Sequence, residues 1–200
     1  MGKLAACGVL LAGGRSTRMK ANKALLDWRG EPLIAALARK FSDWFGQVVL
    51  ITNSPSEYEF LSLPTRPDRV PGIGPLAGIE SGLLASRFDK VFVAACDMPF
   101  LNEGLVRHMV QVAAGWDAAV PRIGHRREPL HAVYGKTCLP HIAQLIESGR
   151  YAVAPLFERV RVRFVEEEEV RRFGDPEQLF FNCNTPEDLA RARALADHGL

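Results

Sequence analysis

Cysteine is scarce in this 200-residue sequence, and its four copies are widely spaced, at Cys7, Cys96, Cys138 and Cys183. No two of them form a CxxC pair, which argues against a disulfide framework and against a cysteine zinc site. The five histidines show no spacing typical of metal ligands. The sequence therefore fits a reducing compartment, and we expect a cytoplasmic protein.

Long hydrophobic runs and a strong excess of one charge are also missing. No apolar run approaches the roughly 20 residues that a membrane helix needs. The LAAC stretch at Leu4–Cys7 resembles a lipoprotein cleavage box, but no apolar segment of a signal peptide precedes it. The net charge of +2 indicates neither a nucleic-acid nor a membrane partner. We expect no contact with either.

What the sequence does contain is enough apolar material for a sizeable core, since 48% of the residues are hydrophobic. The length suits one domain, and we find no internal repeat, low-complexity segment or linker. We therefore expect a single domain that covers residues 1–200.

Continuously apolar runs alternate with segments of helical spacing. Such strands are buried on both faces, and with helices between them they are expected to be parallel. The predicted strands are Ala5–Leu11, Gln47–Thr52, Lys90–Cys96, Asp117–Ile123 and Arg161–Glu166. The predicted helices are Pro32–Phe45, Pro75–Ser86, Asn102–Gly115, Thr137–Ser148 and one that begins after an N-cap at Thr185. The pattern predicts an α/β fold with a doubly wound, mostly parallel sheet flanked by helices.

Two charged segments have ready structural explanations. The acidic run Glu166–Glu169 is most simply a solvated edge. The segment Gly124–Tyr134, rich in cations and histidine, is either a solvated hairpin or a binding site for the phosphate of an acidic substrate.

The first strand ends at two glycines that are followed by several cations. Gly13 and Gly14 would let backbone N–H groups approach an anion, and Arg18 and Lys23 suit phosphate. The spacing matches neither a P-loop nor a dinucleotide fingerprint. The alternatives are an ordinary strand-to-helix turn and a solvated cationic helix.

Two further stretches strengthen the phosphate interpretation. The turn in Asp68–Gly82 leads into a helix whose N-terminus presents free N–H groups, although a rigid surface turn has the same composition. Asp97 follows a buried strand, where an unpaired carboxylate is costly. A Mg²⁺ ion would offset that cost, since it prefers one or two carboxylates together with substrate phosphates. The alternative is that Asp97 caps the next helix.

Four motifs together resemble the MobA family of molybdenum cofactor guanylyltransferases. They are LAGGRSTRMKANKALL, GPLAGI, CDMPFL and FNCNTPEDL, and they span nearly the whole chain in the family's order. The resemblance implies a sheet of the Rossmann-like nucleotide-diphospho-sugar transferase type. It also implies transfer of GMP from GTP to the phosphate of molybdopterin, with release of pyrophosphate and with Mg²⁺ as cofactor.

The resemblance also implies roles for individual residues. Asp97 would hold Mg²⁺, and Arg18 and Lys23 would act with it in catalysis. The pterin would lie near Asn182 and Asn184. The positions that would bind GTP are Leu11, Ala12, Gly13, Gly14, Lys23, Asn53, Asp68 and Asp97.

Several of these residues also have structural explanations. Asn53 is a common residue in turns at strand ends, and Asp68 suits an ordinary loop. The two asparagines Asn182 and Asn184 could satisfy backbone groups before the Thr185 cap. Lys20 departs from the family pattern, because many relatives have glycine after the RM dipeptide.

The reaction that the resemblance implies needs no general base, since a phosphate oxygen is already ionised at neutral pH. This agrees with the absence of an obvious Ser/His/Asp or Cys/His constellation from the sequence. Gly13 favours GTP over CTP, because related cytidylyltransferases more usually have an LAAG-type loop. The alternatives are such a cytidylyltransferase, a sugar-phosphate nucleotidyltransferase, and a non-catalytic nucleotide- or pterin-binding module. Implied protein contacts are transient ones with cofactor-delivering proteins or acceptor molybdoenzymes.

Overall fold

The computed structural model describes residues 2–13 and 22–198. Strands of this part of the chain are β1 (Leu4–Leu11), β2 (Asp27–Trp28), β3 (Glu31–Pro32), β4 (Phe45–Ile51), β5 (Thr65–Arg66), β6 (Lys90–Ala95), β7 (Ala118–Ile123), β8 (Arg126–Arg127), β9 (His131–Gly135) and β10 (Val162–Glu166). Its α-helices are α1 (Leu33–Trp44), α2 (Pro75–Ala85), α3 (Glu103–Val112), α4 (Leu139–Glu147), α5 (Glu167–Val170), α6 (Pro176–Leu179) and α7 (Pro186–His198). Short 3₁₀ turns lie at Lys23–Leu25, Pro55–Leu61, Lys136–Cys138 and Ala154–Glu158.

The main sheet has the strand order β10-β7-β9-β6-β1-β4-β5, with β8 paired to β7. The pairs β6–β1, β1–β4, β4–β5 and β7–β10 are parallel, and β9 runs antiparallel to both of its neighbours. The strands β2 and β3 form a small separate hairpin. The predicted α/β architecture with a mostly parallel sheet is therefore confirmed.

Both faces of the sheet are covered by helices, which explains why its central strand β1 is apolar throughout. In β1, Ala6 and Leu10 belong to the core with α1 and α3. The alternate residues Cys7 and Val9 belong to the core with α2 and α4. A strand between two helical layers must bury both sets of side chains, so it cannot alternate apolar and polar residues.

Strand β9 was not predicted. Its residues His131–Gly135 lie between β6 and β7, with His131 opposite Ala94. The prediction of a solvated hairpin holds only for the exposed tip, where β8 pairs back onto β7. The end of that segment, His131–Tyr134, is buried in β9, and residues 128–130 are half-buried.

The acidic run is not merely solvated, in contrast to the prediction. Glu167–Val170 forms the short helix α5, and Glu169 lies 2.8 Å from the Arg163 guanidinium and 3.2 Å from His108. These contacts tie the run to β10 and α3. No helix in the described part of the chain is long and apolar enough to cross a bilayer.

Candidate active site

The candidate site lies where β1, β4 and β6 end side by side. Leu11 is opposite both Ile51 and Ala95, so the three parallel strands leave the sheet at the same level. Gly13, Asn53 and Asp97 follow these strands by two residues each. Ligands of open α/β sheets bind at this carboxyl edge. Three of the predicted site residues therefore share one edge of the sheet.

The ammonium group of Lys23 connects Asp97 with the C-terminal part of the chain. Its Nζ lies 3.8 Å from Asp97 Oδ2 and donates a hydrogen bond of 2.6 Å to Asn184 Oδ1. The Lys23 side chain is 24% exposed and that of Asp97 is 18% exposed. The amine is thus half-shielded from water but still open to a ligand, where a positive charge acts more strongly than on the free surface.

Asp97 is held in place mainly through its backbone. Its carbonyl oxygen accepts a 2.8 Å hydrogen bond from the Cys183 amide.

The N-cap of α3 is Asn102, whose Oδ1 accepts from the Leu105 amide at 3.0 Å. The alternative that Asp97 caps this helix is therefore wrong.

The Asp97 carboxylate is only partly satisfied. Its Oδ1 is buried and has no hydrogen-bond partner among residues 2–13 and 22–198. Burial raises the pKa of Asp97, and the nearby Lys23 ammonium opposes that rise. A buried carboxylate oxygen without a partner is costly, and a cation beside it would remove the cost.

A hydrogen-bonded cluster holds the turn that carries Lys23. Asn22 accepts from the Ala24 amide at 3.1 Å, and its Nδ2 donates to Tyr58 Oη and to Glu57 Oε2, both at 2.7 Å. Neither Asn22 nor Tyr58 was predicted from the sequence. An asparagine before a short turn is a capping signal, but nothing in the sequence indicates that Tyr58 is its partner.

Asn53 and Asp68 form a reciprocal pair. Asn53 Nδ2 donates to Asp68 Oδ2 at 2.9 Å, and the Asp68 amide donates to Asn53 Oδ1 at 3.0 Å. Burial raises the pKa of Asp68, and the hydrogen bond from Asn53 opposes that rise. The two residues therefore fix the turn at Asn53 and the loop at Asp68 to each other at the edge of the sheet.

Gly13 lies close to this pair. A Cβ atom on Gly13 would lie 3.8 Å from Asp68 Oδ2. The Leu11 carbonyl already accepts from the Cys96 amide at 3.2 Å, and the Ala12 amide donates to the Ile51 carbonyl at 2.9 Å. Gly13 is the first exposed residue after β1. Gly14, Arg18 and Lys20 lie outside the described residues.

Helix α2 starts beside the site with a conformation that only glycine adopts readily. Gly74, its N-cap, has φ of 95°, and Pro75 occupies the first turn. No side-chain cap hydrogen bond is found for α2 within the described chain. The predicted helix N-terminus with free N–H groups is thus present in the structure.

The C-terminal FNCNTPEDL motif contains an exposed asparagine, Asn184, and the capping box that starts α7. Thr185 and Asp188 satisfy each other's amides at 2.9 and 3.1 Å, as predicted for the start of α7. Asn182 donates a hydrogen bond to the Phe180 carbonyl at 2.9 Å. This contact matches the alternative prediction that Asn182 satisfies a backbone group. Asn184 instead directs its amide oxygen at Lys23. Only Asn184 of the two is thereby connected to Lys23 and Asp97 by a described contact.

The acidic and sulfur side chains of the described region do not form a preformed metal cage. No group of three or more His, Cys, Asp or Glu residues is placed there to hold a metal ion. A single carboxylate, one of whose oxygens has no partner among the described residues, fits a metal that takes most of its ligands from water and substrate, as Mg²⁺ does. Burial raises the pKa of the neighbouring Cys96 thiol to about 12, so this thiol stays protonated.

The family model of the MobA-like NTP transferase domain matches residues 8–168 of the sequence. The chain belongs to this family. A relative named "Probable molybdenum cofactor guanylyltransferase" from Pelotomaculum thermopropionicum is 41% identical over 195 residues, 98% of this chain and 95% of its own. A relative of the same name from Methanosarcina mazei is 43% identical over 194 residues, 90% of this chain and 87% of its own.

A solved structure resembles the whole of this MobA-like transferase. The crystal structure of molybdopterin-guanine dinucleotide biosynthesis protein A from Archaeoglobus fulgidus has a TM-score of 0.83 and is 30% identical in sequence. The match covers 96% of this chain and 99% of that one. The predicted fold type is therefore confirmed by a solved relative.

The loop that follows Asp97 in this MobA-like transferase makes a contact that was not predicted from the sequence. Lys40, on α1, donates to the Leu101 carbonyl at 3.2 Å and to the Pro99 carbonyl at 3.5 Å. Burial lowers the pKa of its ammonium group. Lys40 therefore braces the loop behind Asp97, and no local sequence signal relates these two distant segments.

Proposed function

We propose that this chain transfers GMP from GTP to the phosphate of molybdopterin and releases pyrophosphate, in the synthesis of molybdopterin guanine dinucleotide. The observation that carries the proposal is the convergence of Lys23, Asp97 and Asn184 at the carboxyl edge of the sheet. The family and the names of its relatives agree with this chemistry. Residues 1–200 would act as one nucleotidyltransferase domain.

Lys23 would hold the nucleotide phosphates, and Arg18 would assist it in catalysis. Two like charges 4 Å apart repel by about 4 kcal/mol at an effective dielectric constant near 20, and two polyanionic substrates present several such pairs. The half-shielded ammonium group of Lys23 offsets part of this repulsion where the phosphates meet. Amides of Gly13 and Gly14 would supply neutral donors to the same phosphates.

Asp97 would hold a Mg²⁺ ion through its buried Oδ1, which has no partner among the described residues. When bound, the ion would neutralise charge on the phosphates and on the leaving pyrophosphate. Lys23, 3.8 Å from Oδ2, opposes the rise that burial causes in the pKa of Asp97. The acceptor phosphate needs no general base because it is already ionised.

Asn53 and Asp68 would bind the nucleoside, together with the backbone of Leu11, Ala12 and Gly13. Their reciprocal hydrogen bonds fix the Asp68 carboxylate beside the glycine turn. A fixed acceptor discriminates strongly among ligands, since a ligand without the matching donor leaves it unpaired. Gly13 supports GTP rather than CTP as the donor.

The pterin substrate would lie on the side of Asn182 and Asn184. Asn184 is exposed and contacts the Lys23 ammonium, so it would lie between the pterin and the nucleotide phosphates. We place the reaction in the cytoplasm, with transient contacts to cofactor-delivering proteins or acceptor molybdoenzymes.

The test is a nucleotide panel with the purified protein. GTP, CTP and ATP are each incubated with molybdopterin, with and without Mg²⁺, and pyrophosphate release and product mass are measured. We expect a product only with GTP and Mg²⁺. A cytidine-linked product would overturn the nucleotide assignment, and binding of both substrates without any pyrophosphate release would favour a non-catalytic module.

A further inference from the structure

Helix α2 contains a carboxylate that the proposed reaction does not use. Glu80 is only 2% exposed, and its neighbours along the helix include the buried Ile79 and Leu83. Its Oε1 lies 3.4 Å from an Arg69 guanidinium nitrogen, and its buried Oε2 has no partner in the described part of the chain. Burying a carboxylate this deeply costs free energy.

Fold stability alone gives no reason for an acid at this position. A buried ion pair is often no more stabilising than apolar side chains of similar volume. The partner, Arg69, is 63% exposed and could be hydrated without Glu80. A leucine would continue the apolar face of α2 at this position. The Glu80–Arg69 ion pair is therefore expected to have a role other than stabilising the fold.

Arg69, which directly follows Asp68, is anchored to helix α2 at two points. The Arg69 amide donates to Ser81 Oγ at 3.1 Å, and Ser81 directly follows Glu80. Two consecutive residues of α2 thus fix both the backbone and the guanidinium of Arg69. The chain immediately after Asp68 is anchored to a buried helix instead of being free in solvent.

The space around the Asp68 carboxylate leaves little freedom. A Cβ on Gly78 would lie 3.5 Å from Asp68 Oδ1 and 3.0 Å from Leu11 Cδ2. On the other side, Asn53 and Gly13 face Oδ2. A small shift of the loop would move this carboxylate relative to the strand edge, and displacements of about 1 Å at binding groups are costly.

We propose that Glu80 is a positioning residue for nucleotide selection, acting through Arg69 on Asp68. The inference rests on the proposed function, in which Asp68 binds the nucleoside. Glu80 fixes Arg69, and the anchored Arg69 sets the place of the Asp68 carboxylate.

Two variants of Glu80 test the proposal. Glu80→Leu removes the charge at similar volume, and Glu80→Gln keeps an oxygen that can accept from Arg69. We expect Glu80→Leu to raise the Kd for GTP about tenfold, measured by calorimetry without acceptor, and to leave kcat at saturating GTP within about twofold. Glu80→Gln should restore most of the affinity. An unchanged Kd in Glu80→Leu would overturn the proposal.

A double-mutant cycle separates positioning from general loosening of the fold. If Glu80 acts through Asp68, Glu80→Leu should change the Kd less than about twofold in an Asp68→Asn background. Additive losses would overturn the proposal. The matched control is Glu169→Leu, which breaks an ion pair at the opposite edge of the sheet and should leave the Kd for GTP unchanged.

The two failures remain distinguishable. Failure of the proposed function appears in the wild-type protein, as absence of GTP-dependent pyrophosphate release. If wild-type protein binds another nucleoside triphosphate from the panel instead, the same cycle is measured with that nucleotide. An unchanged Kd in Glu80→Leu would then still refute the positioning role.

Discussion

Asp68 and Asp97 lie at the same edge of the sheet, and burial raises the pKa of both, yet their surroundings differ. Asp68 is held by neutral hydrogen bonds with Asn53. Asp97 faces the Lys23 ammonium and keeps one buried oxygen without a partner among the described residues. One carboxylate thus accepts a hydrogen bond from a neutral amide, and the other lies beside a cation with an unpartnered oxygen in the described chain.

The difference indicates how an open sheet edge can serve two chemistries. A carboxylate oriented by an amide suits recognition of a neutral group with hydrogen-bond donors, such as a nucleoside. A carboxylate that lies beside a cation and has one oxygen without a partner in the described chain suits a metal and phosphates. The comparison predicts that changes at Asp97 mainly alter turnover, whereas changes at Asp68 mainly alter affinity.

The largest effect is expected for Asp97→Asn. This variant keeps the shape of the side chain but removes its charge, so kcat for guanylyl transfer should fall by about 100-fold or more. The melting temperature should not fall, because a desolvated charge is removed. Glu187→Gln, which removes an exposed charge from α7, is the matched control. Near wild-type turnover of Asp97→Asn would contradict the metal assignment.

The next largest effect is expected for Lys23→Ala. Loss of the ammonium group should raise the KM for GTP and lower kcat, with a combined loss in kcat/KM of roughly 10- to 100-fold. The pKa of Asp97 should rise further, since the cation that opposes its rise is gone. The acid limb of the pH–rate profile should therefore move to higher pH. Unchanged steady-state constants would refute the phosphate role.

A smaller effect is expected for Asn53→Ala. The Asp68 carboxylate would lose its oriented donor, so the KM for GTP should rise about tenfold while kcat stays within about twofold. Steady-state kinetics at saturating acceptor measure both constants. A fall in kcat comparable to that of Asp97→Asn would contradict the prediction that Asp68 affects affinity and Asp97 affects turnover.

The smallest effect on activity is expected at His131, a third buried titratable group. Its ring lies between Phe92 and Phe180, and neither ring nitrogen has a partner in the described chain. Burial lowers its pKa to about 3, so the folded protein excludes a proton that the unfolded chain binds below pH 6.5. The contribution to stability is therefore complete above pH 6.5 and declines as the pH falls toward 3.

The variant His131→Phe should remove this pH dependence. For a single proton, the wild-type protein should lose about 2 kcal/mol of unfolding free energy between pH 7.5 and pH 5 through this group. Urea unfolding at both pH values measures the loss, and His125→Gln, at the exposed hairpin tip, is the control. An equal loss in His131→Phe would show that other groups cause the acid sensitivity.

The sequence predicted the parallel half of the sheet because burial on both faces leaves a local mark. The strands β1, β4 and β6 are apolar except for Gln47 and Lys90, and the ends of each were correct to within two residues. Strand β9 was missed since five residues with a histidine and a glycine carry little pattern. Its antiparallel direction depends on its pairing with β6 and β7, which no local rule determines.

The site was predictable to a similar, limited degree. Asp97 could be inferred from its position after a buried strand, and the Thr185 cap from its spacing to Asp188. Placing Asn184 at the site depended on the family resemblance, since no spacing relates it to Lys23. The supporting residues Tyr58, Lys40 and Glu80 were missed, because each acts across a tertiary contact with a segment distant in sequence.

The hydrogen bond between Lys23 and Asn184 also has a consequence for how the site is assembled during synthesis. The two residues are separated by 161 positions, so the amine is translated long before its amide partner. Among the described contacts of Lys23, the one with Asp97 can form before residue 184 has emerged, and the one with Asn184 cannot. A nascent protein that has already formed its central strands would therefore still lack one of the two contacts that hold this amine.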